Sequence, residues 1–186
     1  MKTIRAFVAV ELAAEVKQEL GRVAGVLAGR VPERSVRWVK PELMHLTLRF
    51  LGETAVSKLD ALTQTIDRAA QKQPALTLYL QGTGCFPHAN RPRVIWAGLA
   101  GQVAELAAFK RELDAGLVPV GWAVEERPFK PHLTLGRVND ASQLRGVSWE
   151  VDMRKVMVEV TAVHLIESQL TRQGPIYTTR HTTHFS

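Results

Sequence analysis

The sequence predicts an α+β fold with largely antiparallel sheets, arranged as two similar lobes. Three observations predict it. Segments that alternate with period two are interleaved with amphipathic helical segments in mixed order, not in strict strand–helix–strand succession. Many of the connections are of hairpin length, which argues against a doubly wound parallel sheet. The tetrad His-Leu-Thr-Leu occurs twice, at 45–48 and 132–135; this spacing of 87 residues is too long for a solenoid repeat and suits a duplicated half-domain.

Each element has its own warrant. In "TIRAFVAVEL", Ile4, Ala6, Val8 and Val10 share one face, as a strand requires. Val16, Leu20, Val23 and Leu27 then recur at helical spacing, and Gly29 ends the helix. "VRWVK" is a short strand, "PEL" a turn, and "HLTLRFLG" a strand closing at Gly52. Leu59, Leu62 and Ile66 mark a second helix within 56–71, and Pro74 separates it from the strand "ALTLYLQG". A loop holding Gly82, Gly84, Pro87 and Pro92 leads to the strand "RVIWAGL". Leu106, Phe109, Leu113 and Leu117 form the apolar face of a helix over 103–118. "HLTLGRV" and the strand-rich run "KVMVEVTAVHLIES" follow, and the residues from Thr171 read as a polar tail.

Bulk composition narrows the function classes. The 186 residues are 46% hydrophobic and 23% charged, as in an ordinary water-soluble protein. No apolar run has the length of a membrane span. The basic start of the chain alternates and acquires Glu11 and Glu15, which breaks the apolar centre of a signal peptide. Cys85 is the only cysteine, so neither an internal disulfide nor a thiolate-rich metal site is expected, and the cytoplasm is the default compartment. A net charge of +6 favours polyanionic partners such as nucleic acid. "RPR" at 91–93 and "RPFKPH" at 127–132 place cations close to the second tetrad.

The repeated tetrad carries the chemistry. On a strand, His45 and Thr47 share one face while Leu46 and Leu48 share the other; His132 and Thr134 stand in the same relation to Leu133 and Leu135. Each strand seals a core with leucines and presents an imidazole and a hydroxyl opposite. Two such faces meeting across a cleft suit general acid–base catalysis near neutral pH, with the threonine hydroxyls holding phosphate oxygens. No metal is implied: the chain lacks a His-Glu-x-x-His helix, paired cysteines and a carboxylate cluster. A single His-x-Thr carries little weight, since 6 histidines and 14 threonines produce one by chance in about every second chain of this length. His181-Thr182-Thr183 in the tail is read as such a coincidence.

The chain resembles the two-histidine (2H) phosphoesterase superfamily, and within it the RNA 2′,3′-cyclic phosphodiesterases, also called 2′-5′ RNA ligases. The resemblance runs in order through "IRAFVAVEL", "VRWVKPELMHLTLRFLGE", "GTGCFPHANRPRVIWAGL", "ERPFKPHLTLGRV" and "HLIESQLTRQGPIYT", nearly the whole chain. It implies one bilobal domain over 1–186, with two pseudo-symmetric antiparallel sheets facing a central cleft and helices on the outside. It also implies hydrolysis of an RNA terminal 2′,3′-cyclic phosphate to a 2′-phosphate, with 2′-5′ ligation as the reverse reaction. By the resemblance His45 is the proton donor, His132 the proton acceptor, and Thr47 and Thr134 their partners; no cofactor is needed and a monomer is expected. Further candidate substrate contacts are Lys130 and Arg137 beside the second tetrad, Arg49 by strand parity with Thr47, and Phe7 and Phe50 as stacking surfaces for a base. Lys130 stands where the family often has Arg, which removes the bidentate fork. Trp38 and Trp96 read as packing residues, and His88 and His164 carry no supporting pattern. Two rival readings stand beside this one: a phosphodiesterase for small cyclic nucleotides or ADP-ribose cyclic phosphates, and a non-catalytic RNA- or nucleotide-binding protein.

Overall fold

The computed structural model describes residues 2–186. In chain order its elements are β1 (Thr3–Glu11), α1 (Ala14–Ala28), β2 (Val36–Trp38), β3 (His45–Ala55), α2 (Leu59–Ala70), β4 (Leu76–Phe86), β5 (Val94–Gly101), α3 (Val103–Leu117), β6 (His132–Val138), β7 (Met157–Val160), β8 (Ala162–Thr171) and β9 (Gly174–His184). The strands pair antiparallel in the order β7-β4-β5-β6-β3-β1-β8-β9, with β2 also on β6. The α+β, largely antiparallel expectation holds. The order divides into two half-sheets, β7-β4-β5-β6 with β2 and β3-β1-β8-β9. They join between β3 and β6, where Leu46 registers with Leu133.

The helices follow the periodicities that predict them. Val16, Leu20, Val23 and Leu27 of α1 are buried, and α1 lies against β2 and β6. Leu62 and Ile66 of α2 are buried; α2 packs on α3 and against β8 and β9. Leu106, Phe109, Leu113 and Leu117 of α3 close the same core over β3 and β4. Ile4, Ala6, Val8 and Val10 of β1 face this core, while Phe7 and Ala9 form a smaller cluster with Ile166 on the opposite face. Leu46 and Leu133 are both 0% exposed, so truncating either to Ala costs about 2–5 kcal/mol and loosens the junction between the half-sheets. No helix among the described residues is long and apolar enough to cross a membrane.

Three differences from the sequence expectation have local causes. β4 continues through Gly82 and Gly84 to Phe86, because a register shift between Leu80 and Thr83 absorbs the glycines as an irregularity within the strand. β3 runs on past Gly52 to Ala55. The polar tail is strand β9, paired with β8 along its length by a hairpin that turns at Gly174 (φ 122°). Its polarity reflects its place at the edge of the sheet.

Candidate active site

The two tetrads lie together at the junction of the half-sheets. An antiparallel register through Leu46 and Leu133 sets His45 across from Thr134 and Thr47 across from His132. The motifs are thus related by a local twofold axis through the leucine pair. The histidines occupy opposite corners of a His/Thr quartet, a diagonal of about 7–8 Å. That span suits two groups acting on opposite sides of one phosphorus. The leucines face the helices, and the four polar side chains are partly buried on the other face.

Each imidazole is held in the same way by its own chain. Nδ1 of His45 lies 2.9 Å from the carbonyl oxygen of Leu43, and Nδ1 of His132 lies 2.7 Å from that of Lys130. A carbonyl only accepts, so Nδ1 carries the proton and Nε2 is left for chemistry. The surroundings then differ. His45 stacks on Phe7 (centroids 4.8 Å apart, planes at 28°) and meets the edge of Tyr177 at 5.4 Å. His132 meets Phe86 edge-on at 5.1 Å, and the Lys130 ammonium lies 5.9 Å from the same ring. Burial pulls the His45 pKa below the ordinary imidazole value; the bond to Leu43 opposes this, Lys17 and Arg137 reinforce it, and Glu11 opposes it.

A β-bulge after each tetrad decides which of the remaining candidates reach this face. In β3 the register passes from Ala9–Thr47 to Val8–Arg49, skipping Leu48. Leu48 and Arg49 are consequently both turned to the core. Arg49, placed by parity beside Thr47, is therefore a correction. It is 6% exposed on the helix side, 3.5 Å from the Asp114 carboxylate of α3 and 3.4 Å from that of Glu125, and it is screened from the cleft by the sheet. The same bulge delivers Phe50 to the cleft face, opposite Phe7 and 57% exposed. In β6 the register skips Leu135, which turns Gly136 to the core and presents Arg137 on the cleft face. Arg137 acts electrostatically on both His45 and Tyr177.

Phe7 is on the expected face but only 3% exposed, lying beneath His45 and Tyr177, so it supports the imidazole and has no free face for a base. Lys130 is exposed beside His132. Nothing in the sequence singles out Tyr177, because "PIYTT" shows no apolar alternation. Burial pushes its hydroxyl pKa up, and Arg137 and Arg5 oppose that. The third His-x-Thr is structural: His181 and Thr183 both bond the Asp67 carboxylate of α2. His164 lies on the cleft face of β8 with Nδ1 3.0 Å from the Thr182 hydroxyl. Among the described residues, no three His, Cys, Asp or Glu side chains converge as a metal site would require.

Comparison with known proteins agrees with this fold. The family described as LigT like Phosphoesterase matches residues 10–96 and 98–177. A protein named RNA 2′,3′-cyclic phosphodiesterase from Methanothermobacter thermautotrophicus is 30% identical over 181 residues, 94% of this chain and 95% of its own. One of the same name from Thermotoga maritima is 32% identical over 179 residues, 94% of this chain and 91% of its own. Among solved structures, TT0787 of Thermus thermophilus superposes with a TM-score of 0.81 at 28% identity, covering 98% of both chains. E. coli LigT complexed with 3′-AMP superposes with a TM-score of 0.77 at 28% identity, covering 100% of this chain and 99% of that one. With the family match spanning both half-sheets and both His-x-Thr motifs, the chain belongs to the LigT-like phosphoesterases of the two-histidine superfamily.

Proposed function

We propose that the protein hydrolyses the 2′,3′-cyclic phosphate at the end of an RNA to a 2′-phosphate, using the two histidines as acid and base. One observation carries the reading: two His-x-Thr motifs on a common twofold axis, each with Nδ1 tied to a carbonyl two residues back and Nε2 left for chemistry. The names of the relatives support the substrate class.

In this mechanism the Nε2 of neutral His132 takes a proton from water as the water oxygen bonds to phosphorus. The P–O3′ bond breaks, and protonated His45 gives its Nε2 proton to the departing 3′ oxygen. Thr47 and Thr134 donate to the non-bridging oxygens, whose charge grows in the transition state. Lys130 and Arg137 supply the positive field for the phosphate, and Phe50 offers the exposed aromatic surface for a base. The free-enzyme pKa of His45 is low because burial and two cations disfavour its charge. An entering phosphate anion offsets Lys17 and Arg137, so the acid form is favoured once substrate is bound. The reverse reaction, with an RNA 5′-hydroxyl replacing water, forms a 2′-5′ linkage. Both half-sheets act as one catalytic unit, since each supplies one motif.

The test is a short RNA ending in a 2′,3′-cyclic phosphate, incubated with enzyme in excess EDTA and followed by positional assignment of the product phosphate. Wild type should yield the 2′-phosphate, and His45→Ala and His132→Ala should each lose about 10²–10⁴-fold in rate. Opening to a 3′-phosphate, or turnover that survives in either variant, would overturn the assignment.

A further inference from the structure

The cleft face carries a pair of like charges for which the fold has no use. Arg37 of β2 stands directly opposite Arg137 of β6 in the register. Both point to the cleft. The neighbours in sequence of Arg37, Val36 and Trp38, are the side chains that a Cβ on core-facing Gly136 would strike, which fixes the opposite face for Arg37. Like charges facing each other across a strand pair are destabilising. Nothing local offsets them: on its other side Arg137 faces Val94, and among the described residues neither guanidinium makes an ion pair or a side-chain hydrogen bond. Both are exposed. The pair is arranged for an anion that arrives from outside.

Its place relative to the quartet says which anion. Arg137 lies three residues beyond Thr134, and the bulge at Leu135 takes up one of them, so the arginines sit about 7 Å along the strand from the His/Thr quartet. From there the charge of Arg137 acts on His45. Arg37 lies on the edge of β6 that also takes β3, level with Arg137 and past the end of β3. A substrate with its cyclic phosphate in the quartet would need a second phosphate one nucleotide away to reach it.

We infer that Arg37, paired with Arg137, binds the phosphodiester on the 5′ side of the reacting nucleotide and makes the enzyme prefer an oligonucleotide over a mononucleoside cyclic phosphate. This rests on the phosphodiesterase reading above and adds a specificity-determining residue to it. Arg suits the role because its planar fork binds two phosphate oxygens at once.

The experiment compares three substrates: a nucleoside 2′,3′-cyclic phosphate without a 5′ group, a dinucleotide ending in the cyclic phosphate, and that dinucleotide with an uncharged methylphosphonate as its internal linkage. Wild type, Arg37→Ala and Arg37→Lys are assayed on each for kcat/KM. Wild type should prefer the dinucleotide, and Arg37→Ala should reduce the ratio of dinucleotide to mononucleoside kcat/KM about tenfold, through KM, the worth of one charge-assisted contact. Arg37→Lys, which keeps the charge and loses the fork, should keep only part of the preference. The methylphosphonate should cost wild type at least the factor of the alanine substitution, since Arg137 also meets the linkage, and should cost Arg37→Ala clearly less than wild type, because the two changes share the Arg37 interaction. The salt dependence of log(kcat/KM) for the dinucleotide should become shallower by about 0.7 in Arg37→Ala, the slope of one phosphate contact on a single strand. Equal losses on all three substrates, no loss on any, or additive losses from methylphosphonate and alanine would each overturn the inference while leaving the phosphodiesterase reading intact. Turnover of none of the three by wild type would instead overturn that reading, and this inference with it.

Discussion

Replacing Glu19 by Gln removes the most heavily bonded carboxylate in the protein. Its side chain is 0% exposed on α1. It accepts from Arg22 at 3.0 and 2.7 Å, from the Arg154 guanidinium at 2.6 Å and from the Arg154 backbone N–H at 2.9 Å. Arg22 also donates to the carbonyl of Asp152, and Arg30 to those of Ser148 and Glu150, so α1 fastens the segment that leads into β7. The Arg22 bonds first, then those of Arg154, outweigh burial and hold the Glu19 carboxyl at about 2 against an ordinary 4.5. At about 1.4 kcal/mol per tenfold change in proton affinity this is worth about 3 kcal/mol. The Arg22 and Arg154 side chains are 42% and 62% exposed, and screening by water reduces the figure to about 2 kcal/mol. For a chain of this size that lowers Tm by about 4–8 °C at pH 7. The sign follows from the depressed pKa: the contribution is complete above about 4.5, the ordinary value, and is lost as pH falls through about 2. Melting of both proteins across that range should show the Glu19→Gln deficit at neutral pH and its closure under acid. Equal stability at pH 7, or a deficit indifferent to acid, would refute the reasoning.

Three further outcomes are expected. A substrate with sulfur in place of the bridging 3′ oxygen has a leaving group that needs no proton, so it should restore His45→Ala by at least about tenfold and leave His132→Ala inactive; the reverse pattern would exchange the two roles. In wild type the pH limb of kcat/KM due to His45 should lie below the ordinary imidazole value and move upward in kcat; Tyr177→Ala, by unpacking one edge of the ring, should move the kcat/KM limb up as well, which NMR titration of His45 checks directly. Arg49→Met should cost about 3–5 kcal/mol in urea denaturation, because it leaves the buried Asp114 carboxylate with one fewer cation, whereas Arg49→Lys should lose less.

The helices and most strands were legible because their faces repeat with a clear period: Val16, Leu20, Val23 and Leu27 admit one reading, and so do Ile4, Ala6, Val8 and Val10. β9 was not, since a strand that covers one edge of the sheet through Thr178, Thr179 and Thr182 has no apolar alternation to announce it. Both tetrads were legible because alternation holds within four residues. Past them it failed at Leu48 and Leu135, where an extra residue enters the strand and the side chains that follow change face, and in β3 it failed again at Leu51. That one event hid Arg49 in the core. The same event brought Phe50 and Arg137 to the cleft. The Arg37–Arg137 pair was invisible for another reason: it depends on β2 pairing with β6, far away in sequence, and no local pattern encodes that register.

The bulges also give two identical tetrads different surroundings. Arg49 and Gly136 hold corresponding positions, each the first residue after its bulged leucine, and each turns to the core. Phe50 and Arg137 correspond next, and each turns to the cleft. The twofold axis therefore matches an aromatic on one wall with a cation on the other. The wall bearing Phe50, Phe7 and Tyr177 dries the His45 ring, and the wall bearing Arg137 and Arg37 carries charge. A strictly symmetric pair of histidines would share one pKa and divide acid and base at random between the two sides of the phosphorus. In the proposed mechanism, this break in symmetry two residues past each bulged leucine would give the substrate a direction, with the cyclic phosphate over the quartet, the base toward Phe50 and the 5′ phosphate toward Arg37. Exchanging the two residues, as Phe50→Arg with Arg137→Phe, should therefore abolish the preference for a dinucleotide more completely than either single change, and a double variant that retained the preference would show that the direction is set elsewhere.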